Sequence, residues 1–280
     1  MPIHDQGYRR YEGRRQAHGH TWWVIARAGL MERLRERKFL GLLLLSWLPF
    51  LVRSVQLYIA ANYPQTAALL APTPSLFREF LDQQGIFVFF ITLYVGSGLI
   101  ANDRRANALQ IYLSKPLTRV DYVIGKLATM LIFLTAVTWL PGILLLLIQM
   151  MFAGNLTFLK ANLFLFPAIT VFSAVLVMTS AFSMLALSSL SKSRRFVAVM
   201  YAGLIFFTAA MYQALRGMTG SRAWAVISPG DMIDVFASVI FRNQATTSVP
   251  FPVAILVVTL LIVASVVVLE RRVRGVEVVT

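Results

Sequence analysis

Long blocks of apolar residues alternate with short polar segments along this chain, and six blocks are candidates for membrane spans. A helix needs about 20 residues to cross roughly 30 Å of hydrocarbon. The second block is short and is expected to extend back towards Phe80, and the third is expected to tilt or to kink at Pro141-Gly142. The predicted spans are 39–60, 86–101, 124–152, 163–188, 196–214 and 250–269.

Three segments between these blocks refine the predicted fold. Residues 21–38 mix aromatic and aliphatic side chains with basic ones, which is typical of a helix lying in the membrane interface. Residues 102–123 form the largest internal loop. Residues 215–249 contain an apolar stretch that predicts a helix packed on, or dipping into, the outer leaflet.

The fold class that follows is an all-α integral membrane protein with about six transmembrane helices. A single membrane domain is predicted for residues 21–270. It lies between a flexible basic tail, residues 1–20, and a second tail, residues 271–280.

Composition and charge support a membrane protein and give it an orientation. The chain is 58% hydrophobic and 14% charged, whereas soluble domains have about 45–50% apolar and about 25% charged residues. The net charge of +14 would also suit a nucleic-acid-binding protein. However, 19 Lys and Arg residues fall on the side of the N-terminus and five on the other. This asymmetry predicts cytoplasmic termini, contact with anionic lipids and no nucleic-acid partner.

Residues with catalytic or metal-binding chemistry are scarce. The chain has no cysteine, and its three histidines, His4, His18 and His20, all lie in the N-terminal tail. The tail histidines lack a carboxylate or cysteine at ligand spacing, and no phosphate-binding loop surrounds Lys126. We therefore expect no catalytic residue, no metal site and no cofactor on this chain.

Polar residues inside the spans are candidates for a substrate path. Arg53 could attract an anionic substrate, pair with Asp231 or Asp234, or extend to the outer headgroups. Gln56 and Gln149 could line the path or form bonds between helices. The hydroxylated side chains of the fourth span and the Gly96-Ser97-Gly98 sequence in the second favour close helix packing.

The loop 102–126 contains a charged cluster followed by a short stretch with an apolar face. Pro116 ends this stretch, because proline lacks an amide proton and disfavours helical geometry at the residue before it. A short helix with an apolar face suits the groove of a partner protein. The alternative is an ordinary solvated connection, and the residues alone leave both interpretations open.

The same loop resembles the first cytoplasmic loop of ABC-transporter permeases of the type-2 exporter class (ABC-2). Many members have Glu near the start of the loop and Gly-Thr before the Leu-rich helix, where this chain has Asp103 and Asn107-Ala108. The matching residues are Asp103, Arg104, Arg105, Leu109, Leu113, Lys115, Pro116, Leu117, Thr118, Arg119, Tyr122, Gly125 and Lys126.

The resemblance implies a function and partners. The helix at residues 21–38 would be the elbow helix, and the loop would supply a coupling helix that docks on a separate ATPase subunit, which would hold ATP and Mg. A second permease chain, identical or similar, is expected in the cell (plasma or inner) membrane, with outward transport. The expected ATPase contacts are Asp103, Arg104, Arg105, Leu109, Tyr112, Leu113, Lys115, Pro116 and Arg119.

Two other functions compete with the exporter. An ion-driven secondary transporter would have polar or acidic residues in mid-span and broken helices in matching halves. A non-catalytic membrane anchor or assembly protein is the second alternative. The sequence does not identify a substrate.

Overall fold

The computed structural model describes residues 21–63, 73–108, 118–153, 162–242 and 248–273, and the regular secondary structure in these ranges is helical. The predicted N-terminal tail, residues 1–20, lies outside them, and so do residues 274–280 of the predicted C-terminal tail, residues 271–280. Six helical segments are long and apolar enough to cross a membrane, which confirms the predicted number. Spans 1 to 6 are Arg37–Asn62, Pro74–Arg105, Arg119–Phe152, Leu165–Leu190, Arg194–Thr219 and Phe251–Arg272.

Among the described residues, three further helices lie outside the spans. The predicted interfacial helix is present but ends at Leu34, followed by a short connection to span 1. We call the face that carries the loop 102–126 the inner face. On the opposite, outer face, a 3-10 helix precedes a longer helix, which we call the outer helix. The bounds are Thr21–Leu34 for the interfacial helix, Arg222–Ile227 for the 3-10 helix and Pro229–Ile240 for the outer helix.

Span 2 extends back towards Phe80, as predicted, and continues past it to a start earlier than the sequence pattern indicated. It begins at Pro74. Proline suits the first helical turn, because an amide group there has no acceptor within the helix and its absence costs no hydrogen bond. Phe77, Phe80 and Leu81 are fully buried in this first part. The charged residues between them lower the local hydropathy, which is why the pattern placed the start near residue 86.

Span 1 is interrupted at Ser46, between helices Arg37–Leu45 and Leu48–Asn62. Pro49 lies in the first turn of the second helix and cannot donate a bond to the carbonyl of Leu45. The carbonyl of Ser46 accepts a hydrogen bond of 3.1 Å from Nε2 of Gln84, a buried side chain on span 2. A neighbouring span therefore satisfies a backbone group near the break.

Span 3 is interrupted at Thr138 rather than at the predicted Pro141-Gly142. One helix ends at Val137 and the next, Trp139–Ala153, begins two residues before the proline. Pro141 has no amide proton for the carbonyl of Val137, so the discontinuity lies in the turn before the proline. The predicted break is thus correct in cause and about one turn wrong in position.

Spans 2 and 4 form the centre of the fold and approach each other closely at a π-turn, Thr92–Gly96. A Cβ atom on Gly96 would lie 2.3 Å from Cγ of Met184 on span 4, so only glycine fits there. Just beyond, the backbone N–H groups of Ile100 and Ala101 both donate to Oγ of Ser188 at 3.1 Å. The predicted packing role of the glycines and of this span 4 serine is confirmed.

The six spans differ strongly in how deeply they are buried. In the most apolar stretch of span 2, 61% of the residues are buried, and span 4 reaches 56%. The corresponding shares are 11% for span 1 and 17% for span 5. Spans 1 and 5 therefore present long apolar faces to their surroundings.

The outer helix, Pro229–Ile240, packs against spans 4, 5 and 6. Its buried side chains include Met232, Ile233 and Phe236. Oγ of Ser228 accepts from the backbone N–H of Asp231 at 3.4 Å and caps the first turn. The predicted outer helix is present, and its apolar side lies on the spans of the same chain.

Candidate functional site

The candidate site is the inner face around the loop 102–126. The structure describes four of the nine predicted ATPase contacts, Asp103, Arg104, Arg105 and Arg119. The other five predicted contacts lie outside the described residues: Leu109, Tyr112, Leu113, Lys115 and Pro116.

Asp103, at the end of span 2, is bound to the start of span 3. Its Oδ2 atom lies 2.7 Å from Nζ of Lys126 and accepts a hydrogen bond of 2.7 Å from the hydroxyl of Tyr122. The Lys126 and Asp103 side chains are 14% and 17% exposed. The Asp103 carboxylate therefore joins the two ends of the loop from within the permease.

Arg104 connects the same point to a third span. Its Nη1 donates to the carbonyl of Ser189, in the last turn of span 4. A cation is favourable there, since the carbonyls at a helix C-terminus carry partial negative charge. Arg105 and Arg119, at the two edges of the loop, are exposed.

Span 3 begins at Arg119, five residues before the predicted start, because Thr118 caps it. Oγ1 of Thr118 accepts from the backbone N–H of Asp121 at 3.0 Å, and Oδ2 of Asp121 accepts from the backbone N–H of Thr118 at 3.3 Å. This reciprocal arrangement is a capping box. The Thr-x-x-Asp sequence before an apolar run is the signal that could have located this start.

The interfacial helix is held against span 3 beside Lys126. A Cβ atom on Gly125 would lie 2.7 Å from the carbonyl oxygen of Trp22 and from Cβ of Ile25. Oγ1 of Thr129, one turn further on, lies 3.4 Å from the carbonyl of Ala26. Glycine at position 125 thus permits a backbone approach that any side chain would block.

A second ionic cluster joins the interfacial helix to spans 2 and 5. Glu36 accepts bonds of 2.6 Å from Nη1 of Arg33, which is 4% exposed, and from the hydroxyl of Tyr94. Nη2 of Arg194, at the start of span 5, donates to the carbonyl of Tyr94 at 2.8 Å. The Tyr94 hydrogen bond, assisted by Arg33, lowers the pKa of Glu36 below its usual value.

Sequence reasoning missed this second cluster. The sequence analysis treated the basic residues of 21–38 as one group, because composition alone does not show which arginine turns inward. The spacing Arg33-x-x-Glu36 was a usable signal, since residues three apart on a helix can pair.

Of the substrate-path candidates, Arg53 has a different partner from those predicted. Its Nη2 lies 3.1 Å from Oε2 of Glu79, and its Nη1 donates to Oε1 of Gln56 at 3.0 Å. The structure does not show the alternative in which Arg53 pairs with Asp231 or Asp234, because span 2 extends outward far enough to place Glu79 beside Arg53. Gln149 is buried on helix Trp139–Ala153.

Asp234 of the outer helix pairs instead with Arg78 of span 2. Nη2 of Arg78 donates to Oδ1 of Asp234 at 2.8 Å, and its Nε donates to Asp82, also at 2.8 Å. The pKa of Asp234 is raised to about 6, mainly by burial. Arg78 lowers this pKa, and the charges of Asp82 and Asp231 raise it, so about 6 is the net result. Arg78 therefore fastens the outer helix to span 2.

These contacts make the inner face a mechanical junction. Ion pairs and hydrogen bonds join the ends of the loop, the interfacial helix and the inner ends of spans 2 to 5, so a displacement of the loop would be passed to several spans.

A family model described as "ABC-2 family transporter protein" matches residues 23–272. Comparison with curated proteins gave no match.

Proposed function

The chain belongs to the ABC-2 family of transporter proteins and is therefore a multi-pass permease subunit of an ABC transporter, and we propose that it is the permease of an exporter driven by a separate ATPase. The family implies association with ABC ATPase subunits, and permeases of this family are generally non-catalytic. In our proposal, those subunits hold ATP and Mg, and residues 102–126 carry the coupling. Transport is outward, across the plasma or inner membrane, with both termini cytoplasmic.

The observation that carries the coupling proposal is the fastening of the loop at both ends. Asp103 links the end of span 2 to Lys126 on span 3, and Arg104 links it to the end of span 4. A partner that moves the loop would then move three spans together. An ATPase could use this junction only if its nucleotide-bound form favours one permease conformation over another.

The exposed ends of the junction support the proposed contact with the ATPase. Arg105 and Arg119 are exposed beside the loop, whereas Asp103 and Lys126 are mostly buried. In our proposal, the two exposed arginines contact the ATPase together with Leu109, Tyr112, Leu113, Lys115 and Pro116. Asp103 and Arg104 act from behind, by holding the loop in place.

A second permease chain is part of the proposal. Spans 1 and 5 are the least buried of the six. The exposed face of span 5 is apolar and carries Phe206 and Phe207, which are 61% and 68% exposed, between the small residues Gly203 and Ala210. Such a face suits contact with another apolar helix. Arg53, Gln56 and Gln149 remain candidates for the substrate path.

The experiment that tests this function is co-purification from the native membrane in mild detergent. A soluble ATPase should accompany the wild-type chain and be lost from a Leu109→Asp, Leu113→Asp double variant, because charge on the apolar face opposes docking. A Gln110→Asp, Ser114→Asp double variant is the matched control. It places the same two charges in the same loop at polar positions and should keep the ATPase.

The possible outcomes separate the candidate functions. Loss of the ATPase from both double variants would mean that charge alone disrupts binding and would remove the apolar face from the proposal. Absence of an ATPase from the wild-type preparation under several gentle conditions would contradict the exporter. An ion-driven carrier or a membrane anchor would then be the better hypothesis.

A further inference from the structure

A cavity lies inside the protomer, between spans 2, 4, 5 and 6, with the outer helix above it. Its volume is about 180 Å³. Most of its wall is apolar, but four hydroxyl-bearing side chains line it, and each is no more than 7% exposed. These residues are Thr179, Ser180 and Ser183 on span 4 and Tyr201 on span 5.

Two of these hydroxyl groups have no hydrogen-bond partner in the described structure. Oγ1 of Thr179 and Oγ of Ser183 are fully buried and unbonded. Some buried hydroxyl groups in the spans bond to their own helix. Thr138 donates to the carbonyl of Leu134 at 2.8 Å, and Ser265 donates to that of Leu261 at 2.8 Å. Thr92 and Ser173 are unbonded like Thr179 and Ser183, but neither lines this cavity.

The positions of these two residues point to a ligand within the cavity. They are four residues apart, so both side chains lie on the same face of span 4. A buried hydroxyl without a partner is costly, and in native proteins such groups are usually satisfied by protein or by ordered water. A cavity needs only about 10–15 Å³ to hold one water molecule, so this one has room for several.

We propose that this cavity is a water-binding site that opens to the outer side beside the first turn of the outer helix. The four hydroxyl groups are neutral, which suits water rather than an ion. Gly230, at the start of the outer helix, is exposed and lines the cavity, and Gly85 of span 2 lines it too. The site lies within one protomer, and none of the substrate-path candidates, Arg53, Gln56 and Gln149, lines it, so it goes beyond the proposed function.

Cysteine reactivity tests both parts of the proposal, and the chain offers a clean background because it has no native cysteine. A thiol reacts with methanethiosulfonates as the thiolate, which forms only where water is present. Ser183→Cys replaces an oxygen by a sulfur with little change of shape, and Thr179→Cys makes the same replacement and also removes a methyl group. A cationic, membrane-impermeant methanethiosulfonate is applied from the outer side to the full chain in sealed vesicles.

Two controls set the scale of the reaction. Ala181→Cys lies on the same helix, fully buried and outside the cavity wall, and Ser221→Cys is exposed before the outer helix. Thr179→Cys and Ser183→Cys should react at least about tenfold faster than Ala181→Cys and more slowly than Ser221→Cys. If one of the two cavity variants fails to accumulate, the other decides the result.

A plug variant tests the opening. A Cβ atom on Gly85 would have no other atom within 4 Å, and Gly85 lines the cavity, so a Gly85→Leu substitution adds an apolar side chain at the cavity wall. In the Thr179→Cys chain it should slow the reaction by about tenfold, since the bulky side chain displaces water from the thiol. Gly41→Leu, also in open space but on span 1, should leave the rate unchanged.

Two results would overturn the proposal. If both cavity cysteines react no faster than Ala181→Cys, the cavity holds no accessible water. If Gly85→Leu leaves the reaction of Thr179→Cys unchanged, the opening does not lie beside the outer helix. Neither result depends on an ATPase, so the failure of this proposal is distinct from the failure of the proposed function.

Discussion

Asp103 and Lys126 form an ion pair of 2.7 Å across the two ends of the inner loop, and Tyr122 donates to the same carboxylate oxygen. Both charged side chains are mostly buried, so each depends on the other for compensation of its charge. The ion pair holds the end of span 2 against the start of span 3, and this contact does not depend on what the middle of the loop binds.

We expect Lys126→Met to destabilise the permease by about 2 kcal/mol, because it leaves the Asp103 carboxylate without its cation. Bound ATPase should decrease with it, since the loop is no longer held at its base. The measurements are the melting temperature in detergent and the ATPase recovered by co-purification. An Asp103→Lys, Lys126→Asp exchange should restore part of both quantities. Unchanged ATPase binding in Lys126→Met would show that the loop does not need this fastening.

Gly125→Leu should separate the interfacial helix from span 3. The added side chain would collide with the backbone of Trp22 and with Ile25, and overpacking of this kind costs about 1–3 kcal/mol. A lower melting temperature and faster proteolysis within residues 21–34 would report the change. Gly41→Leu is the control, because no atom lies within 4 Å of its added Cβ. Equal proteolysis of the two variants would contradict the importance of this contact.

Glu36→Gln should destabilise the protein mainly near neutral pH. The pKa of Glu36 is lowered in the folded protein, so its ionised form adds stability above its ordinary pKa of 4.5. This contribution is lost as the pH falls through the lowered pKa. Melting temperatures of wild type and variant should therefore differ at pH 7 and converge on acidification. A constant difference across this range would mean that ionisation of Glu36 contributes nothing.

The sequence predicted the number of spans, the interfacial helix and the outer helix, because each is encoded by local hydrophobicity. It did not predict where span 2 begins, because Arg78 and Glu79 lower the apolar score of a helix whose other face is buried. It also missed the interruption at Ser46, where a distant side chain, Gln84, accommodates the break. Such pairings depend on which spans are neighbours, which no local pattern encodes.

The candidate site was predictable only in its location. The pattern of the loop, with its family resemblance, identified residues 102–126, but it assigned Asp103 to the partner surface. The structure places that carboxylate against Lys126, a contact between residues far apart in the chain. The cluster around Glu36 was missed for the same reason, since it joins three separate helices.

Asp234→Asn should make the stability of the protein depend less on pH between about 4 and 6. Burial raises the pKa of Asp234 to about 6 from its ordinary value of 3.8, so between these values the folded protein binds more protons than the unfolded chain. Stability therefore falls as the pH rises through this window, by an amount on the order of 1 kcal/mol for a carboxylate half exposed to solvent. The asparagine variant should lack this decrease.

Melting temperatures measured between pH 4 and pH 7.5 check this prediction about Asp234. Glu79→Gln is the matched control, because it removes another outer carboxylate that is paired with an arginine, Arg53. The control should keep the decrease in stability between about pH 4 and pH 6. If Asp234→Asn and wild type show the same pH profile, Asp234 does not titrate in this window.

The last prediction concerns the second permease chain. Ala210→Cys lies on the exposed apolar face of span 5, where we propose that two copies meet, in a chain without native cysteine, so any disulfide must join two copies. A disulfide requires Cα atoms about 4.4–6.8 Å apart, a separation that the small side chain at this position permits where two span 5 helices cross. We therefore expect oxidation in the membrane to give a covalent dimer.

Leu260→Cys is the control for this experiment, because it is equally apolar and 58% exposed, but on span 6. It should remain monomeric under the same oxidation. A dimer from Leu260→Cys and none from Ala210→Cys would place the contact between chains on span 6. Monomers from both variants would contradict the pairing of two identical chains through span 5. A similar but different permease chain would then be the partner to test.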